Sequence, residues 1–278
     1  MRVGFIGLGD QGAPMADAIR EAGHDLHLWA RRPDVLRPFV EAGATAHATA
    51  AELAAEVDHL GICVLGEQDV RQVLVESGAL SAMRRGAVVA VHSTISPQSC
   101  VAFASEAAAR GVGFIDAPVS GGRARAITRT LLLMVGGGDE DVELARPVLE
   151  SYASAIYHIG PVGSGEIAKI MNNLLSTCTL GAAAFTLELG ELMGLAPAKL
   201  QDILMKGTAN SAMLAAIGSW FVPGQMSIAV AEKDLRLARD LVESLGVGAS
   251  PMANILELNH LGLQRLAGLS PSLADLAG

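Results

Sequence analysis

Aromatic residues, charged residues and cysteines are all scarce in this 278-residue chain, and each shortage excludes a class of protein. Aromatic residues make up 4% of the sequence, which disfavours the stacking platforms that bind single-stranded nucleic acid. Charged residues reach only 18% and leave a net charge of −9, so nucleic acid is not an expected partner. The three cysteines are odd in number and widely separated, which predicts reduced thiols without a disulfide framework or a metal site.

Long uncharged segments and a secretion signal are also missing. The longest uncharged run, LLSTCTLGAAAFTL, is shorter than the ~20 residues that a membrane-spanning helix needs. The opening MRVGFIGLG is apolar but too short and too rich in glycine for a signal peptide. Together with the reduced thiols, these features predict a soluble, cytoplasmic protein with no membrane partner.

Hydrophobic residues are abundant, at 51%, so the chain is able to bury a large core. Over residues 1–161, β-type runs alternate with alanine-rich segments of helical periodicity, which is typical of βαβ units. The predicted strands are RVGFI, DLHLW, HLGICV, AVVAV, VGFID, TLLLMV and SAIYHI. The first 161 residues are therefore predicted to form an α/β, Rossmann-type domain with a mainly parallel sheet.

From residue 162 to residue 278 the strand signals disappear, and the sequence predicts an all-helical domain for substrate binding and oligomerisation. One long helix, at about residues 163–193, opens this domain and joins it to the first. A later helix has one apolar face that is expected to be buried. Its apolar residues recur every three or four positions, at Ile228, Ala231, Leu235, Ala238, Leu241 and Leu245. We expect a homodimer or homotetramer, because a helical domain so rich in alanine and leucine exposes apolar area.

The first predicted strand leads directly into the glycine pattern G-x-G-x-x-G, formed by Gly7, Gly9 and Gly12. Between a strand and a helix this pattern predicts a dinucleotide site. Gly7 permits a tight turn, Gly9 lets a pyrophosphate approach, and Gly12 lets the helix pack on the strand. Leu8 and Asp10 lie in the same loop and are assigned to the cofactor with the glycines. The alternative is a glycine-rich turn without a function.

The second predicted strand ends in WARRPD, so Arg31 and Arg32 stand where an NAD enzyme typically carries a carboxylate. Arginine suits a bidentate, stacked contact with a 2′-phosphate. We therefore predict NADP as the cofactor, with NAD as a possibility. The alternative is a solvated basic turn in which Asp34 partners one of the two arginines.

Three later segments of the chain carry residues that are candidates for ligand binding. HSTISP places Ser93 and Thr94 at the end of one strand and DAPVSGG ends the next, at the edge where open α/β sheets bind ligands. In GPVGSGEIAKIMNN, Lys169 and Asn173 are four residues apart and share one helical face. A lysine on an apolar inner face is costly unless it is used or paired. Pairing with Glu166 is the alternative to a catalytic role.

In this order and spacing, the motifs resemble those of the β-hydroxyacid dehydrogenase family, which includes 3-hydroxyisobutyrate dehydrogenase and tartronate semialdehyde reductase. The resemblance spans nearly the whole chain and rests on GFIGLGDQGAPMA, STISP, DAPVSGG with LLLMVGG, GPVGSGEIAKIMNN and EKDLRLA. It implies hydride transfer between NADP and a small carboxylate-bearing 3-hydroxy acid or its semialdehyde, without a metal. It also implies a C-terminal domain similar to that of 6-phosphogluconate dehydrogenase.

The resemblance further implies roles for individual residues. Lys169 is the implied acid and base, which protonates the developing alkoxide and stabilises it, and Asn173 orients the substrate oxygen. The substrate carboxylate is implied to bind the Ser120 hydroxyl and the backbone amides of Gly121 and Gly122. The other implied contacts are Asn172 and Asp234 for the substrate, Lys233 for the substrate and the nicotinamide, Val64 and Leu65 for the adenosine half, and Thr94 for the nicotinamide ribose.

Four residues depart from the family pattern. Val91 stands where many members carry aspartate, and Arg129 stands where a glycine is frequent. Arg123 and Arg125 make the segment after the glycine pair unusually basic. These two arginines either add an anion contact at the substrate entrance or contact only solvent. The departures bear on the identity of the substrate more than on the class of reaction.

Two further functions stay open at this point. One is the reduction of a compact aldehyde such as glyoxylate or succinic semialdehyde, and the other is a non-catalytic NADP-binding sensor. A sensor has no chemical need for Lys169, Asn173 and Ser120 together, which favours an enzyme. At single positions, Ser120 has an alternative as a plain turn hydroxyl, and Lys233 and Asp234 have one as a solvated charge pair.

Overall fold

The computed structural model describes residues 1–217, 228–246 and 255–260. The chain forms two compact units, residues 1–169 and residues 170–278. The division falls within a long helix, whereas the sequence predicts a domain boundary between residues 161 and 162. The assignment of a function to each domain stays a prediction.

The first unit is built on a nine-stranded sheet. Its strands are β1 (Arg2–Ile6), β2 (Asp25–Trp29), β3 (Thr45–Ala46), β4 (His59–Ile62), β5 (Val88–Val91), β6 (Gly113–Asp116), β7 (Val119–Ser120), β8 (Leu131–Gly136) and β9 (Ala153–Gly160). In the order β3-β2-β1-β4-β5-β6 all neighbours are parallel. Strand β8 runs antiparallel to β6 and β7 and pairs in parallel with β9. The predicted mainly parallel, Rossmann-type sheet is confirmed.

Helices cover both faces of this sheet. They are α1 (Gly12–Glu21), α2 (Arg37–Glu41), α3 (Ala50–Glu56), α4 (Glu67–Arg71), α5 (Ala79–Ala82), α6 (Pro97–Ala108), α7 (Gly122–Ile127) and α8 (Asp139–Leu149), with a 3-10 turn at Pro33–Leu36 and a π-helical turn at Gln72–Glu76. Strand β5 illustrates how the sheet buries side chains on both of its faces, because successive side chains of a strand point to opposite sides. Val88 and Ala90 join one hydrophobic core, and Val89 and Val91 join the other.

In the described part of the second unit, every regular element is a helix. Helix α9 (Ser164–Leu192) begins in the first unit and continues into the second, close to the predicted range of 163–193. It is followed by α10 (Pro197–Lys206), α11 (Ala212–Ala216), α12 (Ile228–Ser244) and a helical segment at residues 255–260. The predicted fold class, an α/β part followed by an all-helical part, is confirmed.

The apolar face of α12 differs from its predicted composition at one end. Ala231, Leu235 and Ala238 are buried, as the periodicity requires. Val242 takes the last buried position, whereas Leu245 is 66% exposed. The helix ends at Ser244, so the helical period no longer applies to Leu245. The side chain of the predicted first member, at position 228, lies outside the described residues.

Helix α9 is, within the described residues, the one helix long and apolar enough to cross a membrane by length and composition. A third of its most apolar window is buried, and the core helices of soluble proteins pass the same test. The uncharged run LLSTCTLGAAAFTL covers only the middle of α9, so the helix is longer than the run.

Asp116, the last residue of β6, joins the sheet to the start of α9. Its carboxylate is fully buried. It accepts hydrogen bonds from the backbone amide of Gly163 at 2.7 Å and from that of Glu166 at 2.9 Å. Burial raises the pKa of Asp116, and the hydrogen bonds from these amides and from that of Gly165 oppose the rise. The buried carboxylate therefore satisfies amides at the first turn of α9.

Two further contacts bring α9 against the sheet. Glu166 is buried, and its Oε1 accepts the backbone amide of Ile95 at 3.2 Å, in the segment after β5. Gly165 packs so closely that a Cβ there would collide with the carbonyl oxygen of Met134 in β8. With the contacts of Asp116, the first turn of α9 thereby lies against the segment after β5, the end of β6 and β8.

We expect Asp116→Ala to lower the free energy of unfolding by about 2–4 kcal/mol, because two buried amides lose their acceptor. Urea unfolding followed by circular dichroism measures this change. Asp139→Ala is the matched control, since Asp139 is likewise a carboxylate at the start of a helix but its side chain is 94% exposed. An Asp116→Ala midpoint equal to that of the wild type would contradict the anchoring role.

Two buried histidines couple the stability of the first unit to pH. His59, in β4, is fully buried, and neither ring nitrogen has a hydrogen-bond partner among the described residues. His92 bonds the carbonyl of Ala117 at 2.8 Å and the hydroxyl of Tyr152 at 3.1 Å. Burial lowers the pKa of His59 to about 3 and that of His92 to about 4.

An unfolded imidazole has a pKa of about 6.5, so the unfolded chain binds more protons than the folded one below that pH. The contribution of the two histidines to stability is therefore expected to be complete above about pH 6.5 and to fall as the pH drops towards about 3. Urea midpoints at pH 7.5, 6 and 5 measure this slope. We expect His59→Leu to flatten it, while His158→Gln, at an exposed position, leaves it unchanged. A slope unaffected by His59→Leu would exclude His59 as its source.

Candidate active site

The loop between β1 and α1 carries the glycines of the predicted dinucleotide site. A Cβ on Gly7 would collide with the carbonyl oxygen of Cys63, and a Cβ on Gly12 with that of Gly7. A Cβ on Gly9 would meet nothing within 4 Å, so this position faces open space. Helix α1 begins without a side-chain cap, a condition that favours phosphate binding by its amides. The loop therefore fits a dinucleotide pyrophosphate.

The remaining cofactor residues surround this loop. The strand order reverses between β1 and β4, so the crevice at which open α/β sheets bind ligands lies between the loops that follow them. The Val64 amide donates to the Ser93 hydroxyl at 2.9 Å, which joins the loop after β4 to the loop after β5. Leu65 is 66% exposed, and Thr94 is half-buried. Leu8 packs against the hydrophobic core, so it anchors the glycine loop to that core.

Arg31 and Arg32 follow β2, and both are exposed. Arg31 Nη2 lies 3.2 Å from Asp69 Oδ1. The carboxylate beside Arg31 therefore comes from α4, not from Asp34, its neighbour in sequence. Arg32 forms no ion pair within the part of the chain that the structure describes.

The predicted carboxylate-binding segment forms a short strand and a turn. Ser120 ends β7 and pairs with Leu132 of β8. Gly121 and Gly122 lead into α7 with φ angles of +131° and +65°. These angles strongly favour glycine, and a Cβ on Gly121 would also collide with the side chain of Arg125. The glycine pair therefore makes a turn directly after the Ser120 hydroxyl.

The arginines after this turn have different surroundings. Arg123 Nη1 donates to the backbone carbonyl of Asp10 at 3.2 Å, which joins the start of α7 to the glycine loop. Arg125 is exposed and packs its aliphatic part near Gly121. Arg129 has a φ of +57° and forms an ion pair with Glu21. A left-handed conformation suits glycine better than arginine, which accounts for the glycine that is frequent at this position of the family pattern.

Lys169 is the last residue of the first unit and is half-buried. It lies three residues after Glu166, in the part of α9 that Asp116 and Glu166 fix to the sheet. Asn173 follows one helical turn later, in the second unit. The helix therefore presents the amine and the amide on one face.

In the second unit the four remaining predicted residues form one connected polar chain. Asn172 Nδ2 donates to Asn173 Oδ1 at 3.0 Å, and Asn173 Nδ2 donates to Asp234 Oδ2 at 2.6 Å. Lys233 Nζ lies 2.9 Å from Asp234 Oδ1. The alternative for Lys233 and Asp234 was a solvated charge pair. Asp234 is only 8% exposed, so the ion pair does not fit that alternative.

Three residues of the first unit were given no role from the sequence. Asp116, Ser93 and Asp69 act through partners that are far away in the chain. Asp116 and Ser93 carried a signal, because the first ends a buried strand and the second follows one. Within the described residues, no cluster of His, Cys, Asp or Glu side chains is arranged as a metal site.

Two family models match the chain on either side of residues 161–162. The first, described as the NAD binding domain of 6-phosphogluconate dehydrogenase, matches residues 2–160. The second, described as NAD-binding of NADP-dependent 3-hydroxyisobutyrate dehydrogenase, matches residues 163–268.

Known proteins resemble the chain over nearly its full length. It is 34% identical to the NAD-dependent L-serine dehydrogenase of Pseudomonas aeruginosa, over 97% of this chain and 88% of that protein. It is 33% identical to the 3-hydroxyisobutyrate dehydrogenase of the same organism, over 95% and 92%. The crystal structure of 3-hydroxyisobutyrate dehydrogenase from Salmonella typhimurium matches with a TM-score of 0.84 at 29% identity, over 100% of this chain and 98% of that one. The chain therefore belongs to the β-hydroxyacid dehydrogenase family and is an oxidoreductase of hydroxy acids.

Proposed function

We propose that this protein is an NADP-dependent dehydrogenase that interconverts a small 3-hydroxy acid and its semialdehyde, with Lys169 as general acid and base. One observation carries the proposal: Asp116 fixes the first turn of α9 to the end of β6. Lys169 follows that turn along α9, and Ser120 follows β6 after a short loop. The proposed proton donor and the proposed carboxylate site are thus attached to the same strand end.

A bound nicotinamide would supply or accept the hydride at the substrate carbon. In the direction of reduction, Lys169 donates a proton to the carbonyl oxygen as the C=O π bond gives way to new C–H and O–H bonds. In the direction of oxidation, the neutral amine accepts the hydroxyl proton. A cation in a half-buried position also stabilises a developing alkoxide more strongly than one in bulk water.

The proposed substrate class follows from polar groups that each unit offers. Ser120 offers a hydroxyl, and the glycine pair after it has no side chains that would block a carboxylate from the backbone amides. Asp234 accepts one N–H of the Asn173 amide, which orients that side chain. The second N–H of the same amide is then directed for donation to the substrate oxygen.

The preference for NADP rests on the end of β2. The strand is followed by two exposed arginines and has no carboxylate at its end. A guanidinium binds a phosphate dianion in a bidentate, charge-assisted manner, whereas it gains little from a neutral 2′-hydroxyl.

We expect Lys169→Ala to lower kcat by about 10²–10⁴-fold, the usual contribution of a positioned acid or base. The affinity for NADPH should stay within about threefold, because the side chain acts on the substrate. Turnover is followed by the absorbance of the reduced cofactor, and binding by its fluorescence. Lys199→Ala, at an exposed lysine of α10, is the matched control. Near-normal turnover by Lys169→Ala would reject the assignment.

A substrate panel separates the three candidate functions. It contains 3-hydroxyisobutyrate, L-serine, tartronate semialdehyde, glyoxylate and succinic semialdehyde, each with NADP(H) and NAD(H). Turnover of the first three compounds supports the proposal, and turnover of the last two alone supports the aldehyde reductase. Cofactor binding without any turnover supports the sensor.

We expect Arg31→Ala to raise the Kd for NADPH more than tenfold, because a charge-assisted contact with the 2′-phosphate is lost, at about 1.5–3 kcal/mol. The Kd for NADH should change less than twofold. Fluorescence titrations with both cofactors measure this difference, and Arg37→Ala, at an exposed arginine of the same segment, is the control. Equal weakening of both cofactors would show that Arg31 does not bind the additional phosphate.

A further inference from the structure

Asp69 is the carboxylate that faces the proposed phosphate-binding arginine. Its Oδ1 lies 3.2 Å from Arg31 Nη2. The two residues belong to different elements, since Arg31 follows β2 and Asp69 lies in the first turn of α4. The sheet brings them together, because β2 and β4 flank β1 on either side.

The ion pair is open to solvent on the arginine side. The Arg31 side chain is 64% exposed, whereas that of Asp69 is 23% exposed. An exposed pair of this kind contributes little to stability, so a ligand is able to share or displace it. Asp69 nevertheless places a full negative charge beside the guanidinium and lowers the positive potential there.

Arg31 also lines a cavity of about 540 Å³. The other lining residues are Trp29 before it and Gln72, Val73, Glu76 and Ser77 of the segment that follows α4. A ligand that enters this cavity therefore meets the Arg31 guanidinium at a point where a carboxylate already neutralises it.

We propose that Asp69 is a specificity-determining residue, which limits the selectivity of the site for NADP over NAD by competing for Arg31. The inference rests on the proposed use of NADP. A 2′-phosphate carries a charge of about −1.5 to −2 at neutral pH, by analogy with phosphate monoesters, so it is repelled by Asp69 and must share Arg31 with it. The uncharged 2′-hydroxyl of NAD meets neither penalty. Asp69 therefore narrows the difference in affinity between the two cofactors.

The test measures the Kd for NADPH and for NADH, by fluorescence titration, in the wild type and in Asp69→Asn. Asparagine keeps the size of the side chain and removes its charge. We expect the Kd for NADPH to fall about 3- to 10-fold and that for NADH to change less than twofold. The gain should shrink at high salt, because partly exposed charges are screened. Competition by 2′,5′-ADP should show the same gain, and competition by AMP should show none.

Asp34→Asn is the matched control, because it removes the same charge from the exposed segment that follows Arg31 and Arg32. It should leave the ratio of the two Kd values within twofold of the wild type. An equal gain in Asp34→Asn would attribute the effect to net charge and overturn the inference. A lower NADPH affinity in Asp69→Asn would also overturn it, since Asp69 would then be positioning Arg31 for the phosphate.

Arg31→Ala distinguishes this inference from the proposed function. If Arg31→Ala selectively weakens NADPH while Asp69→Asn leaves the ratio unchanged, only the role of Asp69 fails. If Arg31→Ala leaves the ratio unchanged and the wild type has no preference for NADPH, the proposed use of NADP fails and the inference fails with it.

Discussion

A single buried carboxylate controls the geometry on which the proposed chemistry depends. Asp116 accepts the amides of Gly163 and Glu166 and so holds the beginning of α9 against the sheet. A helix is rigid over its first turns, so fixing its start also fixes the base of the Lys169 side chain. The raised pKa of Asp116 is the electrostatic consequence of taking a carboxylate out of water at that point.

The two units contribute different kinds of recognition. In the first unit the proposed anion sites consist mainly of backbone, at the loop that contains Gly9 and at the turn that contains Gly121. In the second unit the proposed contacts come from side chains that orient one another, from Asn173 through Asp234 to Lys233. Successive backbone amides bind an anion wherever a turn of the chain points their N–H groups to the same place. A side-chain network instead requires every member, because each buried polar group depends on its neighbour.

Local patterns in the sequence were sufficient to predict a mainly parallel sheet, the long helix and the positions of the glycine turns. They failed where structure depends on distant contacts. Strands β3 and β7 have two residues each and show no periodicity. The hydrogen bond between Asp116 and Gly163 joins residues 47 positions apart, so a pattern of neighbouring residues does not predict it. Asp34, which is near in sequence, was the alternative partner for one of the two arginines, whereas the fold places Asp69 beside Arg31.

The left-handed Arg129 gives the first unit one point of sensitivity to its ionic surroundings. The backbone cost of a positive φ at a non-glycine residue is steric and does not depend on salt. The attraction between Arg129 and Glu21 is electrostatic and lies at a partly exposed position, so dissolved ions weaken it. In concentrated salt the connection between α7 and β8 therefore keeps the steric penalty of Arg129 while the ion pair that opposes this penalty becomes weaker.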